Sequence, residues 1–361
     1  MDKRNRHAGS GYLEPQNRAR TSYLQTAWRR CELQSVLKME IPDKRKPIMA
    51  LTFGVHTGQQ NCSLEELRRL WRYVDQAGFD WLSVWDHFYE APPIDGNGSC
   101  FETVSALTLL AADTAKVRVG CLVFCINYRQ PAVLAKAFAT IDHVSNGRLE
   151  AGLGAGWHEQ EYRGYGFAFE PIGVRQSQLE EAVQIVRSML TNDSTTFAGK
   201  YFRVHNARCN PKPVQKRLPL WIGGGGEKRT LRTTARYADG WNLAYVAPEV
   251  LRHKNEVLSQ WCEKEGRDPA TLARTVNLGF YLKTDDAGAQ AERRGFFTQW
   301  GPMAQMMEGG MLFGTPKQAV ERVGQYFDAG ASRVPMALRS PFDWDALRAY
   351  VEEVLPAFKG K

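Results

Sequence analysis

Two stretches of this 361-residue chain carry groups whose types and spacing could do chemistry. In the first, Trp221-Ile222 runs through Gly223, Gly224, Gly225 and Gly226 into Glu227-Lys228-Arg229. Four residues without Cβ atoms between an apolar strand and a helix let backbone amides approach a phosphate. The start of the helix adds favourable partial charge. Lys228 and Arg229 offer a counter-charge, and a merely tight turn is the competing reading. In the second, Asp86-His87 follows a short apolar strand. A histidine beside an acid at a pocket mouth can hydrogen-bond a ring carbonyl or move a proton, although it can also be an ordinary bonded histidine. Gly152-Leu153-Gly154-Ala155-Gly156 departs from a dinucleotide fingerprint at Trp157 and reads instead as backbone passing close under a flat ligand. His56, Trp157 and Glu161 are substrate-side candidates. No serine or cysteine sits in a nucleophile elbow, and no histidines have zinc-protease spacing, so neither a hydrolytic triad nor a metal is expected.

These groups need a frame that brings them together. From Met49 onward, strand and helix periods alternate. Strands are expected at Ala50–His56, Trp81–Trp85, Val117–Phe124, Arg148–Leu153, Leu220–Ile222, Gly240–Leu243, Val276–Lys283 and Arg333–Leu338. Helix signals fall between them: the Ser63/Glu66 capping box with a stop at Gly78, Pro131 at a first turn, Thr315 before Pro316. Further helices are expected over Glu227–Tyr237 and Trp344–Phe358. Eight strand–helix pairs without a linker favour an α/β fold, a (β/α)8 TIM barrel, over an open doubly wound sheet. Insertions are expected after strands four and seven. Thr195–Cys209 alternates like a hairpin, and Ala287–Phe313, rich in Gly and Met with little period, reads as a mobile lid. In such a barrel the candidates above all lie at the carboxyl ends of strands, where barrels keep their catalytic groups.

Charge excludes one tempting class. Residues 1–48 hold eleven Lys/Arg against five acids, a net +6 out of the chain's +8. Nucleic-acid binding by the nearly neutral body is therefore not expected. The division is a basic, disordered extension over 1–48 and a barrel domain over 49–361. Met49 reads as an alternative start. A targeting segment competes with that reading and is disfavoured by Asp2, Glu14 and Glu32. No apolar run is long enough to span a membrane. Seven scattered cysteines without a C-x-x-C pair suggest a reducing, cytoplasmic setting.

Several motifs in fixed order resemble the bacterial luciferase-like monooxygenase superfamily. They are Phe53-Gly54-Val55-His56-Thr57-Gly58-Gln59, Trp85-Asp86-His87-Phe88, Asn127-Tyr128-Arg129-Gln130-Pro131 with Ala135-Lys136, Asn146-Gly147-Arg148-Leu149, Gly152 to Trp157, and Ile222 to Thr230. Within it the chain is similar to the coenzyme F420-dependent oxidoreductase branch. The resemblance implies a TIM barrel, often a homodimer, taking a 5-deazaflavin or FMN and acting on a small-molecule substrate. It implies that His87 sits by the reactive ring, that Asp86 helps bind it, and that Gly223–Gly226 hold the phosphate. It also implies a non-proline cis peptide at Leu122-Val123, with Cys125 facing the cofactor. Sugar-phosphate dehydrogenases of this group carry an acid directly after the strand-four glycines, where this chain has Trp157.

Three functions follow as expectations. The first is F420-dependent hydride transfer to or from a small organic molecule, with His87 orienting the ring or shuttling a proton. The second is an FMN-dependent monooxygenase using reduced flavin and O2. The third is a catalytically silent flavin-binding barrel.

Overall fold

In a computed structural model, the described residues are 51–90 and 96–358; the expected extension over 1–48 lies outside them. Eight parallel strands close on themselves in the order β1 (Thr52–Thr57), β2 (Trp81–Val84), β3 (Arg118–Cys125), β4 (Leu149–Gly154), β7 (Leu220–Gly223), β8 (Gly240–Ala244), β9 (Ala273–Leu282) and β11 (Arg333–Leu338). β11 pairs back onto β1 from Thr52↔Arg333 to Thr57↔Leu338, which makes the sheet a barrel with no edge. Helices α1 (Leu64–Gln76), α2 (Thr103–Asp113), α3 (Pro131–Val144), α4 (Glu159–Gly164), α5 (Ile172–Thr191), α6 (Thr230–Tyr237) and α7 (Pro248–Lys264) alternate with the strands. After β9 come α8 (Asp286–Trp300), α9 (Pro302–Met307), α10 (Pro316–Asp328) and α11 (Trp344–Ala349).

The strand alternation sorts each side chain to one of two places. Val55, Leu82, Val84, Val119, Ile222, Leu278 and Met336 join the single large core between strands and helices. The intervening residues line the barrel. At its floor, Glu150 pairs with Arg118 and, at 2.8 Å, with Arg333. The Arg333 guanidinium lies 4.8 Å from the Trp81 ring and 5.1 Å from Trp221. Burial raises the Glu150 carboxyl, yet Arg333 and Arg118 outweigh it and hold the group below its ordinary range. The lower barrel is thus plugged by aromatic rings around a buried ion triad. Above it, Gly152, Gly154 and Gly223 form part of the barrel wall.

Both insertions are present. β5 (Thr195–Ala198) and β6 (Arg203–Ala207) form the expected antiparallel hairpin, tied to α5 by Glu181, whose carboxylate accepts the N–H groups of Lys200, Tyr201 and Phe202. The segment expected to be a lid with little period is instead regular: α8, α9 and the strand β10 (Met311–Gly314). Ala289, Phe296 and Trp300 bury one stripe of α8, at intervals of seven and four residues. Phe296 and Trp300 pack with Ala304 and Met311 in a separate small cluster. Gly288 and Gly295 dilute that period in the sequence. β10 pairs with Gly279–Leu282 of β9, above the point where β8 stops at Asn277. The last helix also departs from expectation. It is α-helical only to Ala349, then opens to a π turn over Tyr350–Val354 and tightens to 3-10 over Leu355–Phe358, since Pro356 has no N–H to continue the ladder.

Replacing Glu150 with Ala would strand two arginines in the barrel floor. Urea denaturation should then show a loss of roughly 3 kcal/mol in unfolding free energy; a loss under about 1 kcal/mol would mean that the triad does not hold the floor together.

Candidate active site

The carboxylate of Glu161, on the short helix α4, organises the upper end of the barrel. Its side chain is fully buried. Oε1 accepts the backbone N–H groups of Phe88 (2.6 Å) and Tyr89 (2.9 Å), and Oε2 accepts from His87 Nδ1 (2.9 Å) and the Tyr128 hydroxyl (2.8 Å). His158 Nδ1 lies 3.2 Å from Oε2. Burial raises the Glu161 carboxyl, but the contacts from His158 and His87 and the Tyr89 N–H prevail and keep it well below the usual carboxylate range. Burial, together with the neighbouring Cys125 and Glu161, pushes the Tyr128 phenol up, so it stays a donor. An ionised Glu161 accepts only, so Nδ1 of neutral His87 must carry the hydrogen. Nε2 is then the nitrogen free to take a proton.

Asp86 does different work from its neighbour. Its side chain is buried, and Arg129 Nη1 binds both carboxylate oxygens at 2.9 and 2.8 Å. Oδ2 also accepts the Cys125 N–H at 2.8 Å, so Asp86 clamps the end of β3 to the end of β2. The Leu122–Val123 peptide is cis, and the pairing of β3 with β4 shifts register between Cys121 and Phe124. Val123 is thereby turned toward Gly152, Gly154 and Gly223, where a Cβ would lie 2.6–2.9 Å from its methyl groups. Cys125 is buried, and its sulfur meets the Tyr162 hydroxyl at 2.9 Å. Burial pushes its thiol up to about 12, despite the bond from Tyr162, so it is not a thiolate near neutrality. Gly156, at φ 73°, makes that contact possible, because a Cβ there would sit 2.0 Å from the Tyr162 oxygen.

His56 and Trp157 flank His87 at different depths. His56 is buried at the end of β1, with Nδ1 2.9 Å from Ser83 Oγ and its ring 5.8 Å from Trp85. Trp157 is 57% exposed and meets the His87 ring edge-on at 5.6 Å. The structure thus gathers His56, His87, Trp157 and Glu161, together with the turn at Gly154–Gly156, at one end of the barrel.

The glycine run lies at the same end, after β7. Gly224, at φ 118°, donates to Asn242 O at 3.0 Å and accepts from Trp241 Nε1 at 2.8 Å. The Gly225 and Gly226 amides have no partner among the described residues, and Gly226 is exposed. Two details differ from the sequence reading. α6 begins at Thr230, so a turn over 227–229 separates the glycines from the helix. Glu227 is drawn aside by Lys254 and His253, and Arg229 is committed to Gly173 O and Ser177 Oγ. Of the two cations, Lys228 alone remains as a counter-charge.

Tyr128, Arg129, His158, Tyr162 and Arg339 also contribute: sequence reasoning gives His158 and Tyr162 only a place in the substrate-side stretch Trp157–Tyr162, and gives the other three no specific role. The first four stand inside or beside quoted motifs, but their partners are 33 to 43 residues away or meet only through α4. His87, His158 and Glu161 also bring ligand-type atoms within 4.8 Å of one another, the one such group among the described residues. Four hydrogen bonds already occupy the Glu161 oxygens, which leaves a metal ion little to bind.

The sequence matches the luciferase-like monooxygenase family over residues 48–309, and the chain belongs to that family. The F420-dependent glucose-6-phosphate dehydrogenase of Microbacterium testaceum (strain StLB037) is 26% identical over 339 residues, spanning 86% of this chain and 98% of the relative. An F420-dependent secondary alcohol dehydrogenase, solved with an F420–acetone adduct, shares the fold at a TM-score of 0.76 and 20% identity, over 86% of this chain and 100% of that one. So does the oxygenating constituent of 3,6-diketocamphane monooxygenase from Pseudomonas putida in complex with FMN, at 0.68 and 17%, over 85% and 99%. No helix among the described residues is long and apolar enough to cross a membrane.

Burial, then the charges of Arg339 and His87, lower His56 from 6.5 to about 3. The unfolded chain therefore takes up a proton between pH 6.5 and 3 that folded His56 refuses, and stability falls with pH through that window. Replacing His56 with Asn should make the decline in unfolding free energy between pH 6.5 and 4 less steep. Denaturant titrations across that range check this, and an unchanged slope would contradict a buried, neutral His56.

Proposed function

We propose that the protein is an F420-dependent oxidoreductase acting on a small organic substrate. The observation that carries this reading is His87, held by an ionised Glu161 in one tautomer at the open end of a glycine-lined barrel. The residues suit a flat, phosphate-bearing cofactor. Gly152, Gly154 and Gly223 clear the wall around Val123, and the Gly225 and Gly226 amides offer donors to a phosphate. The relatives described above work with F420 or FMN, which supports a deazaflavin or flavin as the class.

When bound, the deazaflavin supplies two-electron chemistry at its C5 position. This chain's residues do the rest. Glu161 fixes the His87 ring so that Nε2 can hold or deliver one proton at the substrate. Asp86, through Arg129 and the Cys125 N–H, keeps the end of β3 against the end of β2. We assign it this positioning role ahead of a direct cofactor contact. Leu122 and Val123 form the wall beside the ring, with Cys125 supporting it from behind. Trp157 stands where sugar-phosphate dehydrogenases carry an acid, which supports a substrate other than a sugar phosphate, with His56, Trp157 and the insertion after β9 bordering it. A reducing, cytoplasmic setting fits this reading, supported by the free Cys62, Cys100, Cys121, Cys125, Cys209 and Cys262; a homodimer is what the family resemblance implies.

An FMN-dependent monooxygenase is the second reading, favoured by the FMN-bound structural neighbour. Titrating the purified protein with each cofactor, followed by absorbance, separates the two. F420 should bind at least about tenfold more tightly, and a clear preference for FMN would overturn the choice. His87→Ala should cut turnover by about 10²–10⁴-fold with unchanged circular dichroism; undiminished turnover would remove the assigned role.

A further inference from the structure

Arg339 is the residue after β11, and the alternation of that strand through Arg333, Pro335 and Ala337 places it on the inward side at the upper end. Its guanidinium carbon lies 4.7 Å from the Trp300 ring, 5.2 Å from Trp85 and 6.0 Å from Tyr245. Its Nε is buried without a hydrogen-bond partner, the guanidinium reaches the Tyr281 hydroxyl, and no carboxylate among the described residues pairs with it. Several other arginines are paired with acids, and Arg148 and Arg274 with carbonyls and hydroxyls. Arg118 and Arg333 share Glu150, Arg129 takes Asp86 and Glu102, and Arg187 takes Asp239. A buried donor left without an acceptor is costly, so its persistence at a site calls for a ligand.

The surroundings define what that ligand is. Trp85 connects Arg339 to the candidate active site: its ring is 6.0 Å from His87 and 5.8 Å from His56. Asp86 and Glu161 direct their oxygens to other donors, so neither hydrogen-bonds Arg339. His56 stays neutral and adds no charge. Among the described residues, the groups around the Arg339 guanidinium are the rings of Trp85, Trp300 and Tyr245 and the Tyr281 hydroxyl, none of them charged. The rings themselves are fixed. Trp300 Nε1 donates to the Tyr281 hydroxyl at 3.0 Å, and Tyr245 is held at φ 56°, its N–H bonded to Asn277 O. A non-glycine residue in the left-handed region is sparsely populated and kept only where its surroundings impose it.

We propose that Arg339 receives the carboxylate of an organic-acid substrate whose flat, apolar body packs among Trp85, Trp300 and Tyr245. This rests on the reading above that the space beside His87 belongs to the substrate. A guanidinium binds a carboxylate through two parallel N–H bonds, and its flat faces are already used by the rings. One unpaired cation matches a monoanion, whereas a phosphate dianion would bring a second charge that nothing here answers.

The test uses the full chain without added cofactor, with cinnamate, its uncharged amide cinnamamide, and phenyl phosphate as probes in titration calorimetry. Cinnamate should bind about tenfold or more tightly than cinnamamide. Arg339→Met should erase that preference with an unchanged melting temperature, and Arg339→Lys should restore part of it. Equal binding of acid and amide by the wild type, no binding of cinnamate, or tighter binding of phenyl phosphate would overturn the proposal. So would an Arg339→Met variant that keeps the preference but binds F420 more weakly, which would make the cofactor the partner of Arg339. Because acid binding is read without cofactor, it stands or falls separately from the choice between F420 and FMN.

Discussion

The upper end of this barrel depends on one buried carboxylate. Glu161 joins the loop after β2, through His87, Phe88 and Tyr89, to the loop after β3, through Tyr128, from its own place after β4. A charge so enclosed would be costly without compensation. Here each oxygen accepts two hydrogen bonds. Three loops that share no sequence proximity are therefore set in one arrangement, and the histidine inherits its orientation from it.

A second constraint runs beneath the first. The floor of the barrel is filled by Trp81, Trp221 and the Glu150–Arg333 pair, whereas the walls above it are cut back to glycine at 152, 154 and 223 around Val123. Packing thus differs between the two halves: rings and an ion pair below, and glycines accommodating Val123 above. The unusual turn of β3 at Leu122–Val123 falls at that division. The clamp of Asp86 on the Cys125 N–H closes it from the other side.

How much of this could be read in the residues depends on range. The barrel follows from local periods, each within about a dozen residues, and the glycine run and the Asp86-His87 pair are visible because their members are adjacent. The hydrogen bond between His87 and Glu161 spans 74 residues and that from Tyr128 spans 33. Only closure of the sheet brings those groups together, and nothing in their spacing announces it. Asp86 illustrates the limit well. Its position at a strand end was legible, but its commitment to Arg129 was not. The lack of a carboxylate partner for Arg339 is harder still, being a property of what the described neighbouring elements do not supply. α8 was obscured differently: two glycines and a run of polar residues thin a period that becomes plain only against Ala304 and Met311.

β9 is ten residues long, and the two strands along the edge opposite β11 use different parts of it. β8 pairs with Ala273–Asn277, and β10 takes Gly279–Leu282. The insertion that brings Trp300 to the mouth is therefore hung on a stretch of strand that the barrel itself leaves over. Such a segment can be lengthened, trimmed or exchanged without re-registering a single pair of the closed sheet. Evolution can then retune what the mouth admits while the histidine and its carboxylate stay untouched.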